Sequence, residues 1–224
     1  MSIRRKELAK MIDHTLLNPA ATREQIERLC QEGKAYNVHA VCVNSAWVLL
    51  AFNALRGTEV KVVSTVGFPL GATLSEVKAF EAETAVTLGA AEVDMVMNIG
   101  AMKSQDLATV RGDIEQVVNA CKSAPVKVII ETGFLTDQEK IHACKLVKEA
   151  GAAFVKTSTG ISSTGATVAD VALMRKTVGD RFGVKAAGGI RTYTDALAMI
   201  KAGASRLGAS AGVKIVQEAE AIIK

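Results

Sequence analysis

Two lysines in otherwise apolar segments are the residues best suited to chemistry. Lys156 lies in Phe154-Val-Lys-Thr-Ser and Lys185 lies in Gly183-Val-Lys-Ala-Ala. Both come late in predicted consecutive strands, so the period-two alternation of a strand lets both side chains point into one space. Alternatively, such a lysine marks a strand end and reaches solvent. That interpretation is preferred for Lys61 and Lys127, which begin their strands.

Two facing ammonium groups would make one lysine a nucleophile. A free lysine has a pKa near 10.4, so about one molecule in a thousand is neutral at neutral pH. A second ammonium about 5 Å away, at an effective dielectric of about 20, opposes the charge by roughly 3 kcal/mol, and desolvation adds to this. A neutral lysine attacks a carbonyl carbon and forms an imine, which lets an adjacent carbon-carbon bond break or form.

Carboxylates in predicted strands could move the protons that imine chemistry requires. Asp94 stands in the middle of the apolar run 92–97, and beside two lysines it could relay a proton through water. Glu131, at the end of a predicted strand, is the competing candidate. Asp13 is equally suited to an ion pair with a lysine.

Glycine-rich segments after the last two predicted strands favour a phosphate site. They are Gly188-Gly189 and Gly208-Ala-Ser-Ala-Gly212, and each leads into a predicted helix. Backbone N–H groups at helix N-termini bind anions, and glycine lets the backbone approach closely. The alternative is that these residues only form tight turns.

The cysteines and histidines do not indicate a metal site or a disulfide framework. The four cysteines and three histidines are scattered, without a CxxC pair or a histidine cluster. These residues therefore predict no metal site. Cys42 is expected to be a small core residue, unless its thiol faces the barrel mouth and reacts with aldehydes.

The amino-acid composition indicates the domain organisation and the class of ligand. The chain has 224 residues, 49% of them hydrophobic, which predicts a single domain over residues 1–224. A net charge of +4 and 4% aromatic residues argue against nucleic acid and favour a small anionic ligand.

Residues 35–55 carry no charge, but Asn, His and Ser interrupt them, which predicts a strand and a helix instead of a membrane span. No apolar run follows the N-terminal basic residues, so we expect a cytoplasmic protein.

Eight β-branched runs alternate with helical patterns. The runs cover 11–15, 40–43, 60–66, 92–97, 126–131, 153–157, 183–187 and 206–208. Capping boxes that begin at Thr22, Thr73, Thr136, Thr167 and Thr192 predict the starts of five helices. Eight such units predict a closed (β/α)₈ TIM barrel with its site at the carboxyl ends of the strands. An open doubly wound sheet is the rival, but the sequence lacks GxGxxG and P-loop motifs.

Four segments of the chain resemble the deoxyribose-phosphate aldolase family, whose members are class I aldolases on a (β/α)₈ barrel. They are Phe154-Val-Lys-Thr-Ser-Thr-Gly160, Val184-Lys-Ala-Ala-Gly-Gly-Ile-Arg191, Glu92-Val-Asp-Met-Val-Met-Asn98 and Ile12-Asp-His-Thr-Leu-Leu17. The likeness extends over residues 10–215, and the segment around Lys156 is its most specific part.

The resemblance implies a catalytic role for three residues. Lys156 matches the Schiff-base lysine, Lys185 the second lysine that eases its deprotonation, and Asp94 the acid of a water-mediated proton relay. The implied reaction is the reversible cleavage of 2-deoxy-D-ribose 5-phosphate to D-glyceraldehyde 3-phosphate and acetaldehyde, without a cofactor.

The resemblance also implies residues that hold the substrate. Asp13, Thr15, Cys42, Phe68, Thr159 and Gly160 match substrate-binding positions, and Gly188, Gly189, Gly208 and Ser210 match phosphate contacts. Some members have Ser at the place of Ala211, Lys at the place of Ile161, and a C-terminal Tyr, whereas the last Tyr here is Tyr193.

Two other functions are compatible with the same residues. One is a phosphate-binding barrel enzyme, an isomerase or synthase, that uses Lys156 only to stabilise charge. The other is a non-catalytic barrel that binds sugar phosphates. A homo-oligomer is also possible, although nothing in the sequence identifies a contact surface.

Overall fold

The strands form a closed parallel barrel in chain order, in which β1 pairs with both β2 and β8. The computed structural model describes residues 3–161 and 164–222. The strands are β1 Ile12–Leu16, β2 Ala40–Val43, β3 Lys61–Val66, β4 Glu92–Val96, β5 Val126–Ile129, β6 Phe154–Lys156, β7 Gly183–Ala187 and β8 Arg206–Ala209. All eight predicted strands are present. The prediction that Glu131 ends a strand is wrong, because β5 ends at Ile129 and the chain turns into a loop.

Helices surround the barrel and connect successive strands. They are α1 Arg5–Ala9, α2 Arg23–Tyr36, α3 Val48–Leu55, α4 Ser75–Thr87, α5 Ile99–Lys103, α6 Leu107–Ala120, α7 Asp137–Glu149, α8 Val168–Val178, α9 Tyr193–Lys201 and α10 Gly212–Ile222. The predicted (β/α)₈ barrel is therefore confirmed.

Four of the five predicted helix caps are confirmed. The hydroxyls of Thr22, Thr136, Thr167 and Thr192 each accept a hydrogen bond from the backbone N–H three residues later. The prediction for Thr73 is wrong, since α4 begins at Ser75 with Leu74 as its N-cap and no side-chain cap. Thr73 lies one residue too early to reach the free N–H groups of the first turn.

The uncharged segment 35–55 forms a strand followed by a helix, as predicted. It contains the end of α2, then β2, a short 3₁₀ turn at Ser45–Trp47, and α3. The helix is only half-buried, since Leu49 and Phe52 are exposed on its outer face. In residues 3–161 and 164–222, no helix is both long and apolar enough to cross a bilayer.

The barrel interior differs from the usual filling of branched aliphatic side chains. The outward-facing residues of the strands, such as Val126 and Val128 of β5, pack against the helices in the main hydrophobic core. The inward-facing positions instead carry seven buried charged side chains, here called the barrel charge cluster: Asp13, Glu92, Asp94, Lys127, Lys156, Lys185 and Arg206. The fold thus brings charges from six strands to one axis.

Lys127 belongs to this cluster, so the prediction that it reaches solvent is wrong. The β4–β5 register pairs Lys127 with Asp94, and its side chain is fully buried. Its ammonium lies 2.8 Å from Glu92 and 2.8 Å from Asp94. The corresponding prediction for Lys61 is confirmed, because 44% of that side chain is exposed.

Candidate active site

The structure brings Lys156, Lys185 and Asp94 together: Lys156 ends β6, whereas Lys185 and Asp94 are the middle residues of β7 and β4. Lys156 and Lys185 are register partners on neighbouring strands. A single oxygen, Asp94 Oδ2, accepts a hydrogen bond from Lys156 Nζ at 2.8 Å and from Lys185 Nζ at 2.7 Å. The two amines therefore face one space, with a carboxylate placed directly between them.

A second layer of ion pairs supports this triad from inside the barrel. Asp13 binds Lys185 through one oxygen, and its other oxygen lies 3.1 Å from Arg206 Nη1. Arg206 Nη1 also contacts Glu92 Oε2 at 3.0 Å. Because these partners come from different strands, the barrel register fixes the position of each catalytic candidate.

The cluster keeps its carboxylates ionised. Burial alone would raise the pKa of Asp94, but the ammonium groups of Lys127, Lys156 and Lys185 outweigh it and hold that pKa well below its ordinary value. The pKa of Asp13 is lowered in the same way, since Lys185 overcomes the effect of burial. Asp94 is therefore an anion at neutral pH.

Lys185 is the cation that holds its proton firmly. Burial would lower its pKa, but the nearby carboxylates of Asp13 and Asp94 raise it above the ordinary value for lysine. Lys185 thus acts as a fixed positive charge. The sequence predicted that the two ammonium groups repel each other directly. In the structure the carboxylate of Asp94 lies between them and screens this repulsion.

A cavity of about 560 Å³ opens onto Lys156. Its lining includes these predicted substrate and phosphate residues: Thr15, Thr159, Gly160, Gly188, Gly189, Gly208 and Ser210. Lys156 and the glycine segments therefore share one space, as a phosphorylated substrate of an imine-forming lysine would require.

The glycines that line the cavity allow close packing of the protein backbone as well as close approach of a ligand. Gly188 and Gly189 have φ values of +86° and +78°, which favour glycine. A Cβ on Gly188 would lie 3.2 Å from the Cα of Gly160 in the neighbouring loop. Gly208, predicted both to end the last strand and to begin the glycine segment after it, lies within β8, where a Cβ would meet Lys185 Cε at 3.2 Å. Its missing side chain leaves room for that lysine.

Three predicted substrate residues do not line this cavity. Asp13 lies deeper, in the ion pair with Lys185. Cys42 is fully buried inside the barrel, where burial first and the charge of Asp94 second raise the pKa of its thiol to about 11. Phe68 is half-buried in the loop after β3, at the cis bond to Pro69.

The sequence reasoning missed some residues of the site. Arg191 lines the cavity together with Gly188 and Gly189. Its position directly after the Gly-Gly-Ile segment was the available signal. Ile161 also lines the cavity, and Tyr193 instead lies buried at the start of α9.

Comparison with known proteins decides the family. The profile of the DeoC/LacD family aldolases matches residues 8–218. This chain belongs to that aldolase family. The deoxyribose-phosphate aldolases of Thermoanaerobacter sp. strain X514 and Streptococcus gordonii are each 59% identical to this aldolase, over 94% of its chain and 96% of theirs.

A solved structure supports the same relationship. The tetrameric deoxyribose phosphate aldolase of Aeropyrum pernix superposes on this aldolase with a TM-score of 0.91 and 33% identity, covering 97% of this chain and 93% of that one. Membership of the family makes the protein a carbon-carbon lyase on a TIM barrel. The isomerase or synthase and the non-catalytic barrel are therefore set aside.

Proposed function

We propose that this aldolase reversibly cleaves 2-deoxy-D-ribose 5-phosphate to D-glyceraldehyde 3-phosphate and acetaldehyde through an imine at Lys156. The observation that carries the proposal is the placement of Lys156, whose amine adjoins Asp94 and lines the same cavity as the glycine segments. The names of the relatives at 59% identity support this substrate.

The ion-pair geometry of the barrel charge cluster favours Lys156 as the nucleophile. The barrel charge cluster contains four basic and three acidic side chains, so the loss of one proton makes it neutral. Among the residues that the structure describes, Lys185, Lys127 and Arg206 each contact two carboxylates, whereas the ion pair of Lys156 is with Asp94 alone. Lys156 is consequently the base of the cluster with the fewest carboxylate contacts, and it is the one that lines the cavity.

The reaction begins at the aldehyde of the open-chain sugar. The neutral amine of Lys156 attacks carbon 1 and forms a carbinolamine, which takes up one proton from solvent and loses water to give the protonated imine. The bond between carbons 2 and 3 then breaks, and its electron pair moves through carbon 2 to the imine nitrogen. D-glyceraldehyde 3-phosphate leaves, and an enamine stays on Lys156.

Asp94 accepts the proton of the 3-hydroxyl, through water, as the bond breaks. Its carboxylate is a weak base while three cationic nitrogens surround it, and it becomes a better acceptor as the electron pair reaches the imine nitrogen and cancels its charge. Protonation of the enamine at carbon 2 and hydrolysis of the imine release acetaldehyde and restore the amine. Lys185 keeps its charge throughout and orients Asp94.

The phosphate is held at the other end of the cavity. Gly188, Gly189, Arg191 and Ser210 line the cavity, and their backbone N–H groups, hydroxyl and guanidinium are the groups that would bind the phosphate. Phosphate binding there places carbon 1 beside Lys156, and such positioning supplies several kcal/mol of barrier reduction.

Reductive trapping tests the proposal. Incubation with acetaldehyde and borohydride is expected to add one ethyl group to Lys156, located by peptide mass spectrometry. Addition of 2-deoxy-D-ribose 5-phosphate before borohydride is expected to label the same residue. An intact protein that turns over the sugar phosphate without labelling of Lys156 would rule out the imine.

Replacement of Lys185 tests the charge balance. In Lys185→Met the cluster has three basic and three acidic groups and is neutral with Lys156 protonated. We therefore expect the acid limb of the kcat/KM profile to move to higher pH by about one to two units. The measurement is turnover of the sugar phosphate as a function of pH. An acid limb at the wild-type position would contradict this role.

A further inference from the structure

Glu131 is a buried carboxylate that the proposed mechanism does not use. It lies in the loop between β5 and α7 and is 1% exposed. One oxygen, Oε2, accepts a hydrogen bond from the backbone N–H of Thr159 at 3.1 Å. The other oxygen is buried without a hydrogen-bond partner among the described residues. None of the ion pairs found within residues 3–161 and 164–222 includes Glu131.

The fold retains Glu131 at a cost. Its φ of +51° lies in the left-handed region, which a residue with a side chain seldom adopts. A buried carboxylate without a cation also loses hydration that one hydrogen bond does not replace. Such strained and incompletely paired residues concentrate at functional sites. The arrangement therefore indicates a role that offsets the cost.

Glu131 holds a turn that forms part of the cavity lining. The Thr159 hydroxyl accepts a hydrogen bond from the N–H of Ile161 at 3.2 Å, which closes the segment into a tight turn. Thr159, Gly160 and Ile161 all line the cavity. Gly160 in turn packs against Gly188, at the phosphate end.

The contacts of Glu131 thus form a path to the substrate wall. The carboxylate fixes the Thr159 amide, the turn fixes Gly160, and Gly160 abuts the Gly188 backbone. The loop after β5 is also joined to the end of β6 by the Thr132 N–H, which donates to the Thr157 carbonyl at 2.9 Å. Glu131 itself does not line the cavity and so acts through the turn.

We propose that Glu131 is a positioning residue that sets the affinity for the phosphorylated end of the substrate by fixing the 159–161 turn against Gly188. This inference rests on the proposed function, since it assumes that the phosphate lies at that end. It assigns Glu131 to substrate affinity instead of the proton relay, for which it was the competing candidate.

A pair of substitutions tests the role. Glu131→Leu removes the acceptor for the Thr159 N–H, whereas the side-chain carbonyl of Glu131→Gln still accepts that bond. For Glu131→Leu we expect KM for 2-deoxy-D-ribose 5-phosphate to rise about tenfold, with kcat within about threefold of the wild type. For Glu131→Gln we expect both constants within about twofold of the wild type.

A second readout separates the turn from the reactive lysine. Acetaldehyde carries no phosphate, so the rate at which borohydride traps it on Lys156 is expected to be equal in the wild type and both variants. An unchanged KM in Glu131→Leu, equal impairment of Glu131→Gln and Glu131→Leu, or a parallel loss of trapping would each overturn the proposal.

Glu131→Asp is used if Glu131→Leu does not fold. It keeps the charge but shortens the side chain by one methylene, so the same rise in KM is expected, and an unchanged KM would overturn the inference. Failure of the proposed function gives a different result, namely the absence of trapping on Lys156 in the wild-type protein.

Discussion

Lys156→Met is expected to lower kcat for 2-deoxy-D-ribose 5-phosphate by about 10⁴-fold, because the nucleophile that forms the imine is lost. Methionine retains an unbranched apolar stem in the buried site. The remaining charges of the barrel charge cluster balance, with three basic and three acidic groups, so we expect the fold to be preserved. Turnover, borohydride trapping and urea unfolding are measured on the same preparation.

The matched control for this prediction is Lys214→Met. Lys214 lies on α10, where 61% of its side chain is exposed and its ion pair is with Glu218 of the same helix. It is expected to keep wild-type turnover and labelling. A kcat for Lys156→Met within tenfold of the wild type, in a folded protein, would show that the chemistry does not depend on this amine.

Lys78→Met is expected to lower the free energy of unfolding by about 3–5 kcal/mol. Lys78 of α4 and Asp113 of α6 form a buried ion pair at 2.6 Å, and Lys78 Nζ also donates to the Val96 carbonyl at 3.0 Å. Removal of the ammonium leaves a buried carboxylate and a backbone carbonyl without their donor. Urea unfolding followed by circular dichroism measures the change.

Two further variants make this prediction specific. Lys78→Met combined with Asp113→Leu removes both charges and is expected to recover most of the lost stability. Arg111→Met breaks an exposed ion pair with Glu115 on α6 and is expected to cost about 1 kcal/mol or less. A loss for Lys78→Met no larger than that for Arg111→Met would show that the buried pair contributes little.

The strands and the lysine pair were predictable because local patterns carry the information. Helix caps separate the apolar runs, and the even repetition of these units predicts a closed barrel. Lys156 and Lys185 interrupt apolar strands late in their length, so alternation alone brings them to the same end of the barrel.

Lys127 shows where this reasoning fails. All residues of β5 except Lys127 are apolar. The strand therefore shows no alternation of polar and apolar residues that would reveal whether Lys127 faces the helices or the barrel axis. The answer depends on Glu92 and Asp94, which lie on the neighbouring strand and more than thirty residues earlier in the chain. Arg206 was missed for the same reason, because its partners Asp13 and Glu92 come from β1 and β4.

The site could be predicted in its chemistry but not in its detailed positions. Asp94 was recognised as an acid beside two lysines, yet its direct contact with both amines depends on side-chain directions that three separate strands set. Glu131 could not be distinguished from a strand-end residue, because the left-handed turn at this position has no glycine to mark it.

The charged interior of the barrel also has a thermal consequence. The cost of withdrawing ions from water falls as temperature rises, whereas the gain per unit area from burying hydrocarbon levels off. On heating, the stabilising free energy of the ion pairs along the barrel axis therefore falls less than that of the aliphatic residues packed between the strands and the helices. Warming should loosen the outer helices of this aldolase before the centre that carries Lys156.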